Sequence, residues 1–416
     1  MRNSRRLIIG IVTFILLGGL VFGAYQYQTG HAAGSAPTSN GVTVNVTAGG
    51  DRGPGSLREA LFVAASANEK AIIAIKVPTI ALTSALPPLV NAHGMSIVGP
   101  TGGVSIDGRA LRGAVFDVAG ANVTIQGVII HNCPNAGILL RAARFRLSDS
   151  TIDSCDVGVD TAENASALLI EGNKFTNNRV GLRFASSIPD ANIVKNEFSG
   201  SHDASIWAVR STATVRATPI NVRDNRFLKE PIGILDGNIA LLAERNEFRD
   251  SVKAAVHVIG EGATVRGNRI TGGAAMGVLA ENARGAVIEN NEIDHVGAYG
   301  VMIKNSANTL VRSNRLSNCA YGMAFVLGDI QSPSTAVDNT IIEPNYNGID
   351  VIGESPILRR NHVLHPRVMS LSVQDFNAPG GRKVIGKPFL DNNSFDAGAA
   401  QVAAARPPAP VKVPPK

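Results

Sequence analysis

The only tryptophan of this 416-residue chain, Trp207, falls between Arg183 and His257 at equivalent positions of a short repeated strand. Read in chain order, that position is Leu139, Asp160, Arg183, Trp207, Leu235, His257, Leu279, Met302, Ala324, Asp350 and Ser372. The next outward position adds Arg141, Glu281, Lys304 and Gln374. An exposed aromatic plate flanked by hydrogen-bonding groups suits the apolar C–H face of a sugar ring. Histidine and carboxylates beside it can move protons, and arginine can hold an anion. These residues act together only if the chain brings equivalent positions of successive repeats side by side.

The repeat that would do so is an apolar residue, a polar one, then Asn-x-(Phe/Ile/Leu/Val). It occurs at Asn173, Asn196, Asn225, Asn246, Asn268, Asn291, Asn314, Asn339 and Asn361, in steps of 21 to 29 residues. Ser150 and Gly127 continue the register upstream in steps of 23. Each repeat also carries Gly-apolar-x-apolar, as in Gly181-Leu182-Arg183-Phe184 and Gly300-Val301-Met302-Ile303. These stretches alternate with period two, and helical periodicity is absent from Val104 to Asp375. Short strands at a period near 23 describe the coil of a parallel β-helix. The fold expected is therefore all-β, a single-stranded right-handed parallel β-helix of about 12 coils. Its apolar residues share a continuous core, and its x positions form an outward column with neighbours about 4.8 Å apart. The asparagines should stack as an amide ladder at one turn, a position where asparagine tolerates left-handed φ/ψ.

A solenoid needs caps. Ser56-Leu57-Arg58-Glu59 reads as a capping box after Pro54-Gly55, and Leu57, Ala60, Leu61, Ala64 and Ala65 form a helical stripe. This helix should plug the N-terminal mouth of the core. Residues 1–33 combine Arg2, Arg5 and Arg6 with the uncharged apolar run Leu7–Gly23, the pattern of either a cleaved signal peptide or an inner-membrane anchor. Either outcome places the body outside the cytoplasm. Residues 34–40 read as a linker, 41–395 as the β-helix, and 396–416 as an Ala/Pro-rich disordered tail.

The formal charge of +6 and mean hydropathy of +0.11 first suggest a basic polymer binder. Three of the surplus cations lie in residues 1–33 and three in 401–416, where no acid occurs, so the body holds 33 basic against 33 acidic residues. Nucleic acid is not an expected partner of a neutral rod. Cys133 and Cys155 fall on neighbouring coils, where they could form either a disulfide or stacked free thiols; Cys319 is remote and should be buried. No metal-ligand spacing is present, and no cofactor is expected.

The stretch Gly53-Pro54-Gly55-Ser56-Leu57-Arg58-Glu59-Ala60 closely resembles the N-terminal motif of exported β-helix proteins. The later coils resemble the right-handed β-helix superfamily of pectate lyases, alginate C5-epimerases and NosD-like periplasmic proteins, over roughly residues 41–390. The resemblance implies the fold and export, and a polysaccharide, acidic in the lyases and epimerases, lying along the outward column. Lyases and epimerases need a base for the proton α to a uronate carboxyl and a cation that stabilises the enolate. On that reading His257 or His202 is the base, Arg183 the carboxylate clamp and Asp160 its orienting partner. Trp207, Arg141, Glu281, Lys304 and Asp350 would then contact substrate. Hydrolysis would need two paired carboxylates. Asp160, Glu281 and Asp350 stand on distant coils, and only Asp203, in the turn before Trp207, is placed nearer Asp160. The Asp-Pro-His-Asp of alginate epimerases and the calcium-binding acidic cluster of pectate lyases have no counterpart here. A non-catalytic polysaccharide-binding or export subunit, or a NosD-like accessory protein or adhesin, are the alternatives. The rod is expected to be monomeric. The insertions Arg210–Asn221 and Leu327–Ala336 should stand as walls beside the column.

Overall fold

The computed structural model describes residues 41–185, 188, 190–209, 219–237, 240–328, 331–377 and 383–397. The readings of residues 1–33 and 34–40, all but the first two residues of the 396–416 tail, and 210–218 of the first wall lie outside the described residues. What is described is a parallel β-solenoid with three long sheets of 15, 14 and 12 strands. The first sheet runs from Val42–Val46 to Phe389–Asp391, the second from Thr79–Ala81 to Ser394–Phe395, and the third from Phe116–Val118 to Met369–Gln374. The third sheet has the expected dozen coils, and the other two extend beyond it.

The amide ladder lies at the bend between the first and second sheets. Asn173 through Asn361 are each 0–1% exposed. Each side-chain oxygen accepts the backbone N–H of the preceding ladder asparagine, as Asn268 Oδ1 does from Asn246 at 2.9 Å. Each side-chain nitrogen donates to a carbonyl of the coil before, as Asn268 Nδ2 does to Ala243 at 3.0 Å. Ser150 takes an asparagine's place at the N-terminal end, and Asn393 extends the ladder one rung past Asn361. The left-handed conformation does not fall on the ladder residues. It falls on the residue before each one, including Lys195 (φ 56°), Asp224 (φ 57°) and Arg245 (φ 52°). That residue makes the bend and leaves the asparagine to turn its amide inward.

Directly after the seven ladder asparagines from Asn173 to Asn314, an outward column of the second sheet alternates in sign. Lys174, Glu197, Arg226, Glu247, Arg269, Glu292 and Arg315 are neighbours in strand register. Arg226 Nε lies 3.1 Å from Glu247. Skipping a coil would set Lys174 against Arg226, so the alternation opposes mispaired coils. Inside, Phe175, Phe198, Phe227 and Phe248 form a stack with centroids 4.5–5.0 Å apart. The repeated glycine follows from this packing. A Cβ on Gly181 would stand 3.1 Å from the Phe198 ring and 2.6 Å from the Ser205 carbonyl oxygen, so only hydrogen fits where the chain enters the third sheet.

Helix Leu57–Ala65 closes the N-terminal mouth. Ser56 Oγ accepts Glu59 N–H, and Glu59 reaches back to Gly55 N–H at 2.6 Å. Leu57, Ala60, Leu61 and Ala64 face the core, whereas Ala65 faces solvent. Arg58 has a separate duty. With Thr83 and Ser84 it hydrogen-bonds Asp51, and although burial opposes ionisation, these donors hold that carboxyl at about 2. Cys133 and Cys155 are buried free thiols on adjacent coils, and contact with Cys155, then burial, pushes the Cys133 thiol up. Cys319, also free and buried, is pushed up to about 12 by burial.

Candidate functional site

The outward column of the third sheet is continuous from Leu139 to Ser372, every member standing beside the next in strand register. Its N-terminal half is a set of closed ion pairs. Arg183 grips Asp160 with both arms, at 2.8 and 2.6 Å. Arg141 pairs in the same way with Asp117. Arg179 bridges Asp156 at 2.6 Å and Asp203 at 2.7 Å, so Asp203 is joined to Arg179 rather than set beside Asp160. His202 is exposed in the turn next to it. Trp207 is half-buried, between Arg183 and Leu235.

Two coils beyond Trp207 a second cluster begins. His257 Nε2 stands 3.3 Å from Glu281 Oε2, close enough for attraction though not aligned as a hydrogen bond. Lys304 Nζ donates to Glu281 Oε1 at 2.7 Å. Burial lowers the His257 pKa more than Glu281 raises it, so the imidazole is neutral at pH 7 and able to accept a proton. Lys304, by its hydrogen bond, holds the Glu281 carboxyl below the usual range. The structure thus brings His257, Glu281 and Lys304 together. It leaves Arg183 three coils from His257, about 14 Å at one strand spacing per coil. One sugar carboxylate cannot reach Arg183 while its α-carbon faces His257.

In the turns that follow the strands of this cluster lies a groove of about 590 Å³. Its wall is built from the turns that follow the strands of His257, Leu279 and Met302, including Glu261, Asn282, Arg284 and Asn305, and it ends at Leu327 and Gly328. The volume is within the range of small-ligand sites. Leu327 and Gly328 are the part of the second expected wall that adjoins the groove; residues 329–330 lie outside the described residues. Beneath Gly328 sits Glu354, 1% exposed, accepting the Gly328 N–H at 3.1 Å through Oε2, with no partner for Oε1 among the described residues. Burial pushes its pKa up to about 7. The folded chain therefore binds more protons than the unfolded one between about pH 4.5 and 7. Stability should fall as pH rises through that window. Glu354→Gln is expected to remove this slope and to raise stability at pH 8 by up to about 3 kcal/mol, read from urea unfolding at pH 5 and 8.

Asp350 does not present its carboxylate to solvent. It is 3% exposed and receives the Tyr299 hydroxyl at 3.2 Å and Asn347 Nδ2 at 2.7 Å. Tyr299 reaches it across the intervening coil because Ala324 offers only a methyl group there. Tyr299, Tyr321 and Tyr346 form an aromatic stack with centroids 4.7 and 4.8 Å apart. Sequence reasoning passed over these tyrosines, yet Tyr299-Gly300 and Tyr321-Gly322 immediately precede the glycine that marks each third-sheet strand. Asp117, Asp156 and Arg179 were likewise missed. Among the described residues no group of three or more His, Cys, Asp or Glu side chains is placed to hold a metal ion.

A single-chain right-handed parallel β-helix with one charged and aromatic face is the class these features define. Residues 102–227 and 216–363 match the right handed beta helix region, and the chain belongs to that family. Among solved structures it is similar to the catalytic unit of a thermostable GH87 α-1,3-glucanase from Streptomyces thermodiastaticus strain HF3-3, with 15% identity, 89% of this chain and 72% of that chain covered, and a TM-score of 0.54. It is also similar to the PL6 family polysaccharide lyase Pedsa3628 from Pseudopedobacter saltans, with 11% identity, coverages of 86% and 94%, and a TM-score of 0.55. At such identities the likeness is one of fold. Among curated proteins none matches the sequence.

Proposed function

We propose that this is an exported protein that binds a polysaccharide along the outer face of the third sheet and modifies it at His257. The observation that carries the reading is the neutral, largely buried His257 beside the Glu281–Lys304 pair, two coils from the only tryptophan and on a strand whose following turn lines a groove. Two structural neighbours named as polysaccharide-acting enzymes share the fold, which favours a glycan over other polymers. The apolar run behind Arg2, Arg5 and Arg6 supports an exported location, where such polymers occur.

In the finer reading the polymer is a uronate. His257 takes the proton from the carbon α to the carboxylate through Nδ1, because Nε2 is buried against Glu281, and Lys304 stabilises the enolate charge that develops. Breaking the C4–O bond then completes β-elimination, whereas return of a proton to the opposite face gives the C5 epimer. Lys304 replaces Arg183 as the nearby cation, because Arg183 stands three coils from His257. Incubation with alginate and polygalacturonate should yield unsaturated ends or a changed epimer ratio. His257→Ala should slow the reaction about 10²- to 10⁴-fold. Neither product from the unaltered protein would exclude lyase and epimerase action on these polymers.

The closed ion pairs around Arg141, Arg179 and Arg183 favour a second reading, a polysaccharide-binding export subunit without chemistry. Trp207→Ala would then weaken retention in affinity electrophoresis while no glycan is altered by the parent protein.

A further inference from the structure

Besides Leu139 at the N-terminal end, four outward residues of the third-sheet column are apolar and half-buried although the core lies on the other side: Trp207, Leu235, Leu279 and Met302. The fold does not require them, since Asp160 and Arg183 occupy the same position in the two coils before Trp207. Together they form an apolar strip running lengthwise, interrupted by His257 and rimmed by Glu281, Lys304, Asn282 and Asn305. The strip ends at the tyrosine stack. Its rings repeat every 4.7–4.8 Å, and Tyr346 is 50% exposed. Asp350 and Asn347 fasten the inner end of that stack through the Tyr299 hydroxyl and the Asp350 carboxylate.

His257 lies midway between the two aromatic elements. It is two coils from Trp207 and two from the coil of Tyr299, about 10 Å on each side at one strand spacing per coil. One coil step is close to the length of one pyranose residue in an extended glycan. An apolar strip with a polar rim complements such a chain, whose ring faces are C–H surfaces and whose edges are hydroxyls.

Resting on the proposed polysaccharide reading, we infer that the face holds an extended glycan of about five or more pyranose units, with aromatic contacts at both ends and an interior unit at His257. The protein would then address the middle of a polymer rather than its end. Neither short oligosaccharides nor chain termini can satisfy Trp207 and the tyrosine stack together, so affinity must grow with chain length.

Because Trp207 is the only tryptophan, its fluorescence reports occupancy directly. Full-length protein is titrated with alginate-derived and polygalacturonate-derived oligosaccharides from disaccharide to octasaccharide, with neutral β-glucan oligosaccharides in parallel. Affinity should rise about tenfold or more between trisaccharide and octasaccharide. Tyr346→Ala and Tyr321→Ala should leave trisaccharide binding unchanged and remove that gain. A plateau already at the trisaccharide, or tyrosine variants that bind every length as the parent does, would overturn the inference while leaving glycan binding intact. Equal weakening at all lengths in both variants would also overturn it, by showing that the stack acts only on the fold. Absence of binding at every length, for acidic and neutral series alike, would instead remove the polysaccharide reading on which the inference rests. Tyr346 is the safer of the two substitutions because half of its surface is already in solvent.

Discussion

Asn268→Ala is expected to destabilise the solenoid by about 3–5 kcal/mol, a large share of what a folded domain holds in reserve. The side chain is 1% exposed and makes bonds in both directions along the ladder. Its oxygen accepts the Asn246 backbone N–H at 2.9 Å and the Asn246 amide at 3.0 Å. Its nitrogen donates to the Ala243 carbonyl at 3.0 Å and to Asn291 Oδ1 at 3.0 Å. Alanine leaves the Asn246 N–H without its acceptor and takes a donor from Ala243. Each buried group so stranded costs about 1–3 kcal/mol, and the space left by the amide adds to the total. Asn268→Asp separates the components. It preserves the acceptor but removes the donor and places a charge in a buried turn. Urea unfolding should show a clearly lowered midpoint for both variants. Hydrogen exchange should lose protection first in the coils around 246–291, since each coil of a solenoid is supported mainly by its neighbours. Protection lost uniformly along the rod would contradict the local character claimed for the ladder.

Phe227→Ala is expected to cost about 3–5 kcal/mol by a different route. Phe227 is fully buried and sandwiched between Phe198 at 4.9 Å and Phe248 at 4.5 Å, nearly parallel to both. The substitution removes apolar burial, opens a cavity in the centre of the rod and ends two ring contacts worth about 0.5–1.5 kcal/mol each. Phe227→Leu refills most of that volume, and its cost should stay below about 2 kcal/mol. The comparison isolates packing because neither variant touches the outer face. If the leucine variant unfolded as readily as the alanine one, ring stacking rather than cavity volume would dominate. Trp207 fluorescence, from the outer face of the adjoining coil, provides a local probe of the same transition.

The outward column was readable before any coordinates because two independent periodicities agree. Period two along each strand selects the outward residue, and the repeat near 23 stacks it on its equivalent. The ladder asparagines were readable for the same reason. The left-handed residue beside them was not: Lys195, Asp224 and Arg245 share no side-chain property that announces a positive φ, and the demand comes from the bend itself. Arg183 and Asp160 were placed correctly as neighbours, and opposite charges one strand apart close on each other unless something competes. That consequence closes Arg183 on Asp160, and the register sets it three coils from His257. Asp350 could not be read as buried, because its cover is supplied by Tyr299 from two coils earlier, passing over Ala324.

By itself the sequence determined the coil, the alternation of inward and outward positions along the strands, the N-terminal cap and the order of groups along the outer face of the third sheet. These depend on local alternation and on a repeat, which are properties of one dimension. Only the tertiary structure decided which of those groups remain available. Arg141, Arg179 and Arg183 are closed in ion pairs, Asp350 lies under a tyrosine, and His257 is neutral beside Glu281 and Lys304. The physical reason is that pairing, burial and proton affinity depend on distances across coils and on excluded water, and residues far apart in the chain set both.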